Sequence, residues 1–163
     1  QTSASDGRWQ QEKFATVANV IIQKGNDVGD STRIDSANFV VVSSRVATVL
    51  KSCQPFFVAN NVAVNNSNAV AEIGTLDKMK VYVDRYARSD YAVVGLKGQD
   101  GQNECGVIYS PYVMGLESEA INPLNFSPVV GIMDRYAITN SLMGAGRYYR
   151  KINFLNLATI MQA

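Results

Sequence analysis

The sequence has 163 residues, of which 47% are apolar and 18% are charged, and its formal net charge is +1. A chain of this size fits one domain and buries roughly 70% of the surface that it exposes when unfolded. This balance of apolar and charged residues excludes a disordered chain. The near-neutral charge gives no electrostatic basis for binding nucleic acid or an anionic membrane.

Histidine is absent from the sequence, and its two cysteines are Cys53 and Cys105. Ser-His-Asp and Cys-His catalytic arrangements and His-ligated zinc sites are therefore excluded within this chain. The spacing of the cysteines leaves a disulfide open without indicating one, and we interpret them as two small buried thiols in a reducing cytoplasm. No charged and apolar leader and no apolar run of about 18 residues occurs, so the sequence predicts neither a signal peptide nor a membrane span.

The first third of the chain predicts two helices with a strand between them. Residues 6–24 start with a capping Asp6 and repeat apolar side chains at helical spacing, most regularly over 12–24, and Gly25 is predicted to end the helix. A polar surface loop is predicted at residues 26–36. A buried strand at 39–42 then leads into a second helix at 45–52. No glycine-rich phosphate motif lies at this junction, so we do not predict a nucleotide site there.

The middle of the chain predicts three short strands with turns between them. They are β-branched, aromatic or apolar runs at residues 80–83, 91–96 and 107–109. Asp100-Gly101 marks the clearest turn, because glycine accepts the positive φ of a hairpin reversal. We therefore predict an α+β fold with at least two helices and a mainly antiparallel sheet.

The other segments are less regular. Asparagines crowd residues 54–75, which favours a solvated loop with a short strand open at 56–59. Prolines argue against a long regular element at 115–128, whereas residues 129–139 alternate as a strand. The basic-aromatic run 147–151 is compatible with binding single-stranded nucleic acid, but we favour strand pairing or a subunit contact.

Several motifs follow one another along the chain. They are GRW at 7–9, EKF at 12–14, ANFVVVSSRVATVL at 37–50, VYVDRYA at 81–87, YAVVGLKG at 91–98, GVIYSPYVM at 106–114 and NFSPVVGIMDRYAI at 125–138. Over nearly the whole chain they resemble the major capsid proteins of T-even-like tailed phages. No motif is a catalytic signature, so the resemblance rests on the order and spacing of the motifs.

The resemblance implies a Hong Kong 97-type capsid fold, with an axial domain at the centre of a subunit ring and a peripheral domain with a long-stranded sheet. It implies that residues 1–163 are the C-terminal part of a longer capsid protein, comprising axial-domain elements and the returning strands of the peripheral domain. The expected function is a shell subunit that forms the hexamers and pentamers of a phage head around the DNA genome. The protein is expected in the virion, after assembly in the bacterial cytoplasm.

The implied partners are further copies of the chain and other head proteins, such as scaffold, portal or decoration proteins. No membrane and no sequence-specific nucleic acid is expected. We predict no enzyme activity, no cofactor and no catalytic or metal site. The acidic pairs Glu117 with Glu119 and Asp84 with Asp90 lie in or beside predicted surface turns, and their spacing does not indicate catalysis. The alternative function is a minor virion component or binding module, such as a decoration or tail protein.

Tyrosines support a many-copy homo-oligomer with head-to-tail contacts, because aromatic residues are enriched where subunits bury surface. They cluster at Tyr82, Tyr86, Tyr91, Tyr109, Tyr112, Tyr148 and Tyr149. For any one of them, a place in the chain's own sheet with the hydroxyl at its edge is the equal alternative.

Overall fold

The computed structural model describes residues 10–53, 57–59, 70–98, 105–142 and 144–157. Helices and strands both occur, and the predicted α+β class is confirmed. In chain order the elements are α1 Gln10–Thr32, β1 Phe39–Ser43, α2 Ser44–Lys51, β2 Phe57–Ala59, β3 Val70–Leu76, β4 Met79–Asp84, β5 Tyr91–Gly95, β6 Val107–Ile121, β7 Pro128–Asn140, α3 Ala145–Tyr148 and β8 Tyr149–Asn153.

The body of the molecule is a six-stranded sheet in the order β2-β3-β4-β1-β5-β8. Strand β1 pairs in parallel with β4, and the other neighbours in this sheet are antiparallel, as predicted for most of it. Because β1 and β4 are parallel, their last residues lie at the same edge of the sheet, the one formed by strand ends, where Ser43 pairs with Asp84. Strand β5 runs the opposite way and therefore starts at that edge.

One hydrophobic core joins helices α1 and α2 to this sheet. Strand β1 is an apolar run in which Val40 and Val42 are completely buried. Helix α2 contributes Val49 and Leu50, which lie on its apolar face. Burial of apolar side chains from three consecutive elements explains why short strands and an eight-residue helix are stable here.

Helix α1 is longer than the sequence predicts. It passes through Gly25 and ends at Thr32, so the predicted stop at Gly25 is wrong, as is the predicted loop over residues 26–32. Gly25 is buried, and a Cβ placed there would lie 3.1 Å from the sulfur of Met79. The helix continues because Val28 extends its buried face, and this burial outweighs a glycine penalty of about 1 kcal/mol. The predicted cap at Asp6 lies outside the described residues.

Strands β6 and β7 form a separate two-stranded sheet, in which β6 is much longer than predicted. The strand predicted at 107–109 runs on to Ile121, so the prediction against a long element at 115–128 is wrong up to that residue. Proline is tolerated because Pro111 lies beside a shift in the pairing register and Pro128 is the first residue of β7. The strand predicted at 129–139 is confirmed. We call β6, the turn 122–127 and β7 the hairpin arm.

The remaining predictions are confirmed in part. Strand β2 lies within the segment 56–59, but β3 replaces the last part of the loop predicted at 54–75. The dense asparagines and the turn at Asp100-Gly101 lie outside the described residues. Most of the basic-aromatic run belongs to β8, which pairs with β5, so its predicted role in strand pairing is confirmed.

Gly95 in β5 lies where a side chain has no room. A Cβ built there would lie 2.6 Å from Cζ of Phe39 and 2.6 Å from Cδ1 of Tyr149. We expect Gly95→Ala to lower the free energy of unfolding by about 1–3 kcal/mol, because both rings must shift. Urea denaturation measures this loss. Gly146→Ala is the control, since no atom lies within 4 Å of its added Cβ, and an equal effect of the two variants would contradict the steric argument.

Candidate functional site

The hairpin arm exposes apolar side chains on both of its faces. Its two strands pack mainly against each other, and Tyr112, Met114 and Ile132 are 83%, 78% and 77% exposed. A two-stranded hairpin is marginally stable in water by itself. A contiguous exposed apolar surface typically marks a site of protein–protein interaction. The arm is therefore the part of the described chain that most needs a covering partner.

One face of the arm combines apolar groups with carboxylates. Directly opposed residues in an antiparallel pair share a face, and the register opposes Glu117 to Ile132 and Glu119 to Val130. Ile121 lies on the same face by strand alternation. Neither glutamate side chain forms a hydrogen bond or ion pair with another described residue. We call this set of five residues the acidic face.

The tip of the arm is a turn held by asparagines. The side-chain oxygen of Asn122 accepts a hydrogen bond from the Leu124 amide at 3.0 Å, and the carbonyl of Asn122 accepts one from the Phe126 amide at 2.9 Å. Asn125 accepts a hydrogen bond from the Ser127 hydroxyl at 2.7 Å. These bonds fix a turn that presents Leu124 and Phe126 to solvent, at 91% and 83% exposure.

A second surface feature lies at the edge where β1 and β4 end and β5 begins. It is an open cleft of about 310 Å³, which we call the arginine cleft. Its lining comprises Ser43, Ser44, Arg45, Arg85, Ala87, Arg88, Ser89 and Asp90. Asp90 accepts a 3.5 Å contact from Arg45 and a 3.4 Å hydrogen bond from the Ser43 hydroxyl. Three arginines therefore face one lining carboxylate, and the cleft favours an acidic partner.

Arg85 and Arg88 are exposed side chains of the turn between β4 and β5. Neither forms an ion pair within the part of the chain that the structure describes. Arg45 is 61% exposed despite its contact with Asp90. Exposed guanidinium groups of this kind bind carboxylates well, because their N–H donors match the two carboxylate oxygens.

A family model described as major capsid protein Gp23 matches residues 1–155. This chain belongs to that family. The major capsid proteins of Enterobacteria phages T6 and T4 are each 32% identical over 137 residues, which cover 80% of this chain and 27% and 26% of theirs. The major capsid protein of Vibrio phage KVP40 is 30% identical over 138 residues. The chain thus spans about a quarter of the length of the curated relatives it matches.

A shorter similarity points to another head component. The capsid vertex protein of Vibrio phage KVP40 is 35% identical over 65 residues, which cover 34% of this chain and 22% of that protein. The resemblance to the T-even-like capsid family is confirmed by the family model and by the relatives that cover most of the chain.

The tyrosines proposed as contact residues divide into three groups in this family member. Tyr148 is 7% exposed and belongs to the core. Tyr86, Tyr109 and Tyr112 are exposed by 54% or more. Tyr82, Tyr91 and Tyr149 are half-buried in the six-stranded sheet. The prediction missed Tyr136, which faces Tyr109 with ring centroids 5.5 Å apart; alternation along β7 was the signal for it.

Both cysteines are free thiols. Cys53 is buried, as predicted, and burial raises its pKa. Cys105 is only half-buried, so the interpretation of two buried thiols is wrong for it. Among the described residues there is no group of three or more Cys, Asp or Glu side chains that would hold a metal ion. Nor does the described part contain a helix long and apolar enough to cross a membrane.

The acidic pairs named from the sequence lie in two different places. Glu117 and Glu119 lie within β6 rather than in a turn, which corrects that prediction. Asp84 ends β4 and Asp90 precedes β5, so both lie beside the turn between these strands, as predicted. Asp84 accepts a 2.6 Å hydrogen bond from the Tyr91 hydroxyl, which raises the pKa of Tyr91, with smaller contributions from desolvation and from the carboxylate charge.

This hydrogen bond predicts a pH-dependent stability. A folded-state pKa above the unfolded value of about 10 means that the stabilisation is complete below pH 10 and is lost as the pH rises through the raised pKa. We expect Tyr91→Phe to cost about 1 kcal/mol near neutral pH, and we expect this difference to shrink at about pH 11. Urea unfolding at both pH values measures it. Tyr86→Phe should change neither value, since Tyr86 is 81% exposed.

Proposed function

We propose that this chain is part of a structural shell subunit of a tailed-phage head, and that the subunit assembles into hexamers and pentamers around the DNA genome. Membership of the major capsid protein family supports this proposal. The observation that carries it is the hairpin arm, whose apolar faces are exposed in a single chain and need a partner surface. A shell built from many copies supplies such a surface at every subunit.

The proposed fold is of the Hong Kong 97 type, with residues 1–163 contributing axial-domain elements and returning strands of the peripheral domain to a longer protein. The six-stranded sheet with its helices is compatible with a compact axial domain, and the long arm is compatible with an element reaching beyond it. Other head proteins, such as scaffold, portal or decoration proteins, are proposed partners. Assembly in the bacterial cytoplasm belongs to the same proposal.

We infer a non-catalytic role. The sequence lacks histidine, and Asp90, the one carboxylate that lines the arginine cleft, is engaged by Arg45 and by the Ser43 hydroxyl. A general base needs a carboxylate that can accept a proton from a substrate. No membrane and no sequence-specific nucleic acid is proposed as a partner.

A vertex component is the second candidate function. The similarity to a capsid vertex protein favours it over the other minor head components. A vertex protein needs contacts of one kind around a fivefold axis, whereas a major shell subunit must form hexamers as well. The two candidates therefore differ in the rings that a single purified protein can form.

The test is assembly of the full-length protein, with chaperone and scaffold supplied. We expect sedimentation velocity at high micromolar concentration to show large particles, and electron microscopy to show both sixfold and fivefold rings. Fivefold rings alone would support the vertex role instead. A full-length protein that remains monomeric under these conditions overturns both candidates.

A further inference from the structure

The hairpin arm and the arginine cleft lie at opposite edges of the six-stranded sheet, next to the two ends of strand β5. The base of the arm is held beside the far end of β5, where Cys105 bridges Lys97 and the Ser141 amide donates to the Gly106 carbonyl at 3.0 Å. The cleft includes Asp90, which immediately precedes β5. The five residues of β5 thus separate the two features by about 17 Å.

The arm is long enough to reach another subunit. Strand β6 has fifteen residues, which span about 50 Å at 3.4 Å per residue. Its pairing with β7 continues from Val107 to Ile121, so the arm is a two-stranded ribbon along its whole length. The acidic face lies in the outer half of this ribbon and is exposed. The arm leaves from the edge of the sheet opposite the chain's own cleft. The acidic face is therefore presented to other molecules.

The two surfaces are complementary in charge. The acidic face carries Glu117 and Glu119, which are two residues apart on one strand and therefore about 7 Å apart on one side. The arginine cleft carries Arg85 and Arg88, which have no acidic partner among the residues described. Opposite charges on two surfaces steer their encounter and fix their register.

The acidic face also carries apolar groups that a purely ionic contact would leave in water. Ile121, Val130 and Ile132 are 71%, 54% and 77% exposed and flank the two glutamates. Covering them removes apolar area from water and lowers the local dielectric around the charges, which strengthens the pairing. The contact would thus cover these apolar side chains of the arm beside the arginine–carboxylate bonds.

We propose that the acidic face of the hairpin arm docks at the arginine cleft of a second copy of this chain. The contact is heterologous, because the arm at one edge of each copy meets the cleft at the opposite edge of the next copy. Repetition of such a contact closes into a ring when the rotation allows it. The proposal rests on the proposed shell function and names the surfaces through which neighbouring subunits meet.

The test is a charge swap in the full-length protein. Glu117→Arg with Glu119→Arg, and separately Arg85→Glu with Arg88→Glu, should each raise the concentration needed for assembly roughly tenfold or more, because like charges then face each other. Combining all four substitutions in one chain should restore assembly to within about threefold of the unchanged protein. Sedimentation velocity over a concentration series measures both effects, and circular dichroism checks that each variant is folded.

Two control variants separate this contact from a general effect of charge. Ser118→Arg places an arginine between the two glutamates on the opposite face of the arm, where Ser118 opposes Gly131. Lys78→Glu with Lys80→Glu reverses two exposed cations at the sheet edge opposite the cleft. If either control weakens assembly, reversing the charges of the acidic face or of the arginine cleft in the same chain should not restore it.

The outcomes are distinct. If the unchanged protein assembles and the two reversals assemble equally well, the contact is overturned while the shell function stands. In a second outcome, each reversal blocks assembly, and the variant with all four substitutions is folded but does not assemble. That result likewise overturns the pairing of these two surfaces. If the unchanged protein never assembles, the shell function fails and this contact fails with it.

Discussion

Excision of the hairpin arm should leave a folded body that no longer assembles. Every buried apolar side chain of the core lies outside residues 107–140. The Ser141 amide donates to the Gly106 carbonyl at 3.0 Å, so a short glycine linker can join these two residues without strain. We expect the free energy of unfolding to change by less than about 1 kcal/mol, because the removed segment buries little against the body.

Assembly of the full-length protein should instead be lost, because the exposed apolar faces of the arm are removed with it. Sedimentation velocity measures the loss, and urea denaturation measures the stability of the body. A matched control replaces only the tip turn 122–127 with Asn-Gly, which removes Leu124 and Phe126 but keeps the acidic face. We expect this control to assemble. An excised protein that still forms shells would show that the arm is dispensable.

The sequence predicts the buried body well because its signals there are local. Strand β1, helix α2 and strands β4 and β5 all lie within about two residues of the predicted ranges. Each is a short apolar run that alternates or repeats at one period and ends at a polar or flexible segment. The end of α1 was missed because Gly25 packs against Met79, which is distant in sequence. The sequence does not distinguish a glycine that allows close packing from a glycine that ends a helix.

The arm was missed for a different reason. Its strands are exposed on both sides, and most of β6 lacks the alternation of a half-buried strand and contains Pro111 and Gly115. Apolar residues at every second position indicate that one face of a strand is buried against the chain's own core. Strands that are covered only in an assembly need not carry that pattern. The strand predicted over 129–139 was correct, but its partner across the turn at Asn122 was not recognised.

The arginine cleft could not be found from spacing. Arg45, Arg85 and Arg88 come together because β1 and β4 run in parallel and end at the same edge. A parallel pair needs a crossover connection, here through α2, β2 and β3, and no short motif specifies it. From the sequence, the junction of β1 and α2 resembles only a phosphate site, and it lacks the glycine-rich motif of one. The arginines that set the character of the cleft come from the turn that follows β4.

Leu50→Ala should be among the most destabilising single substitutions in the body. Leu50 is fully buried on the apolar face of α2, within the core that joins both helices to the sheet. Removing three carbons there loses their transfer free energy and leaves a cavity, so we expect a loss of about 2–5 kcal/mol. That is a large share of the roughly 5–15 kcal/mol that stabilises an ordinary domain.

Urea denaturation measures this loss, and Thr48→Ala on the exposed side of the same helix is its control. The exposed Thr48 hydroxyl donates one hydrogen bond, to the Ser44 carbonyl at 3.1 Å, so its removal should change stability by less than about 0.5 kcal/mol. At a temperature where Leu50→Ala remains folded, its assembly should match that of the unchanged protein, because the arm and the cleft are intact. Arm excision should show the reverse, a stable body without assembly. A Leu50→Ala protein that is folded yet fails to assemble would show that the core and the contact surfaces are not independent.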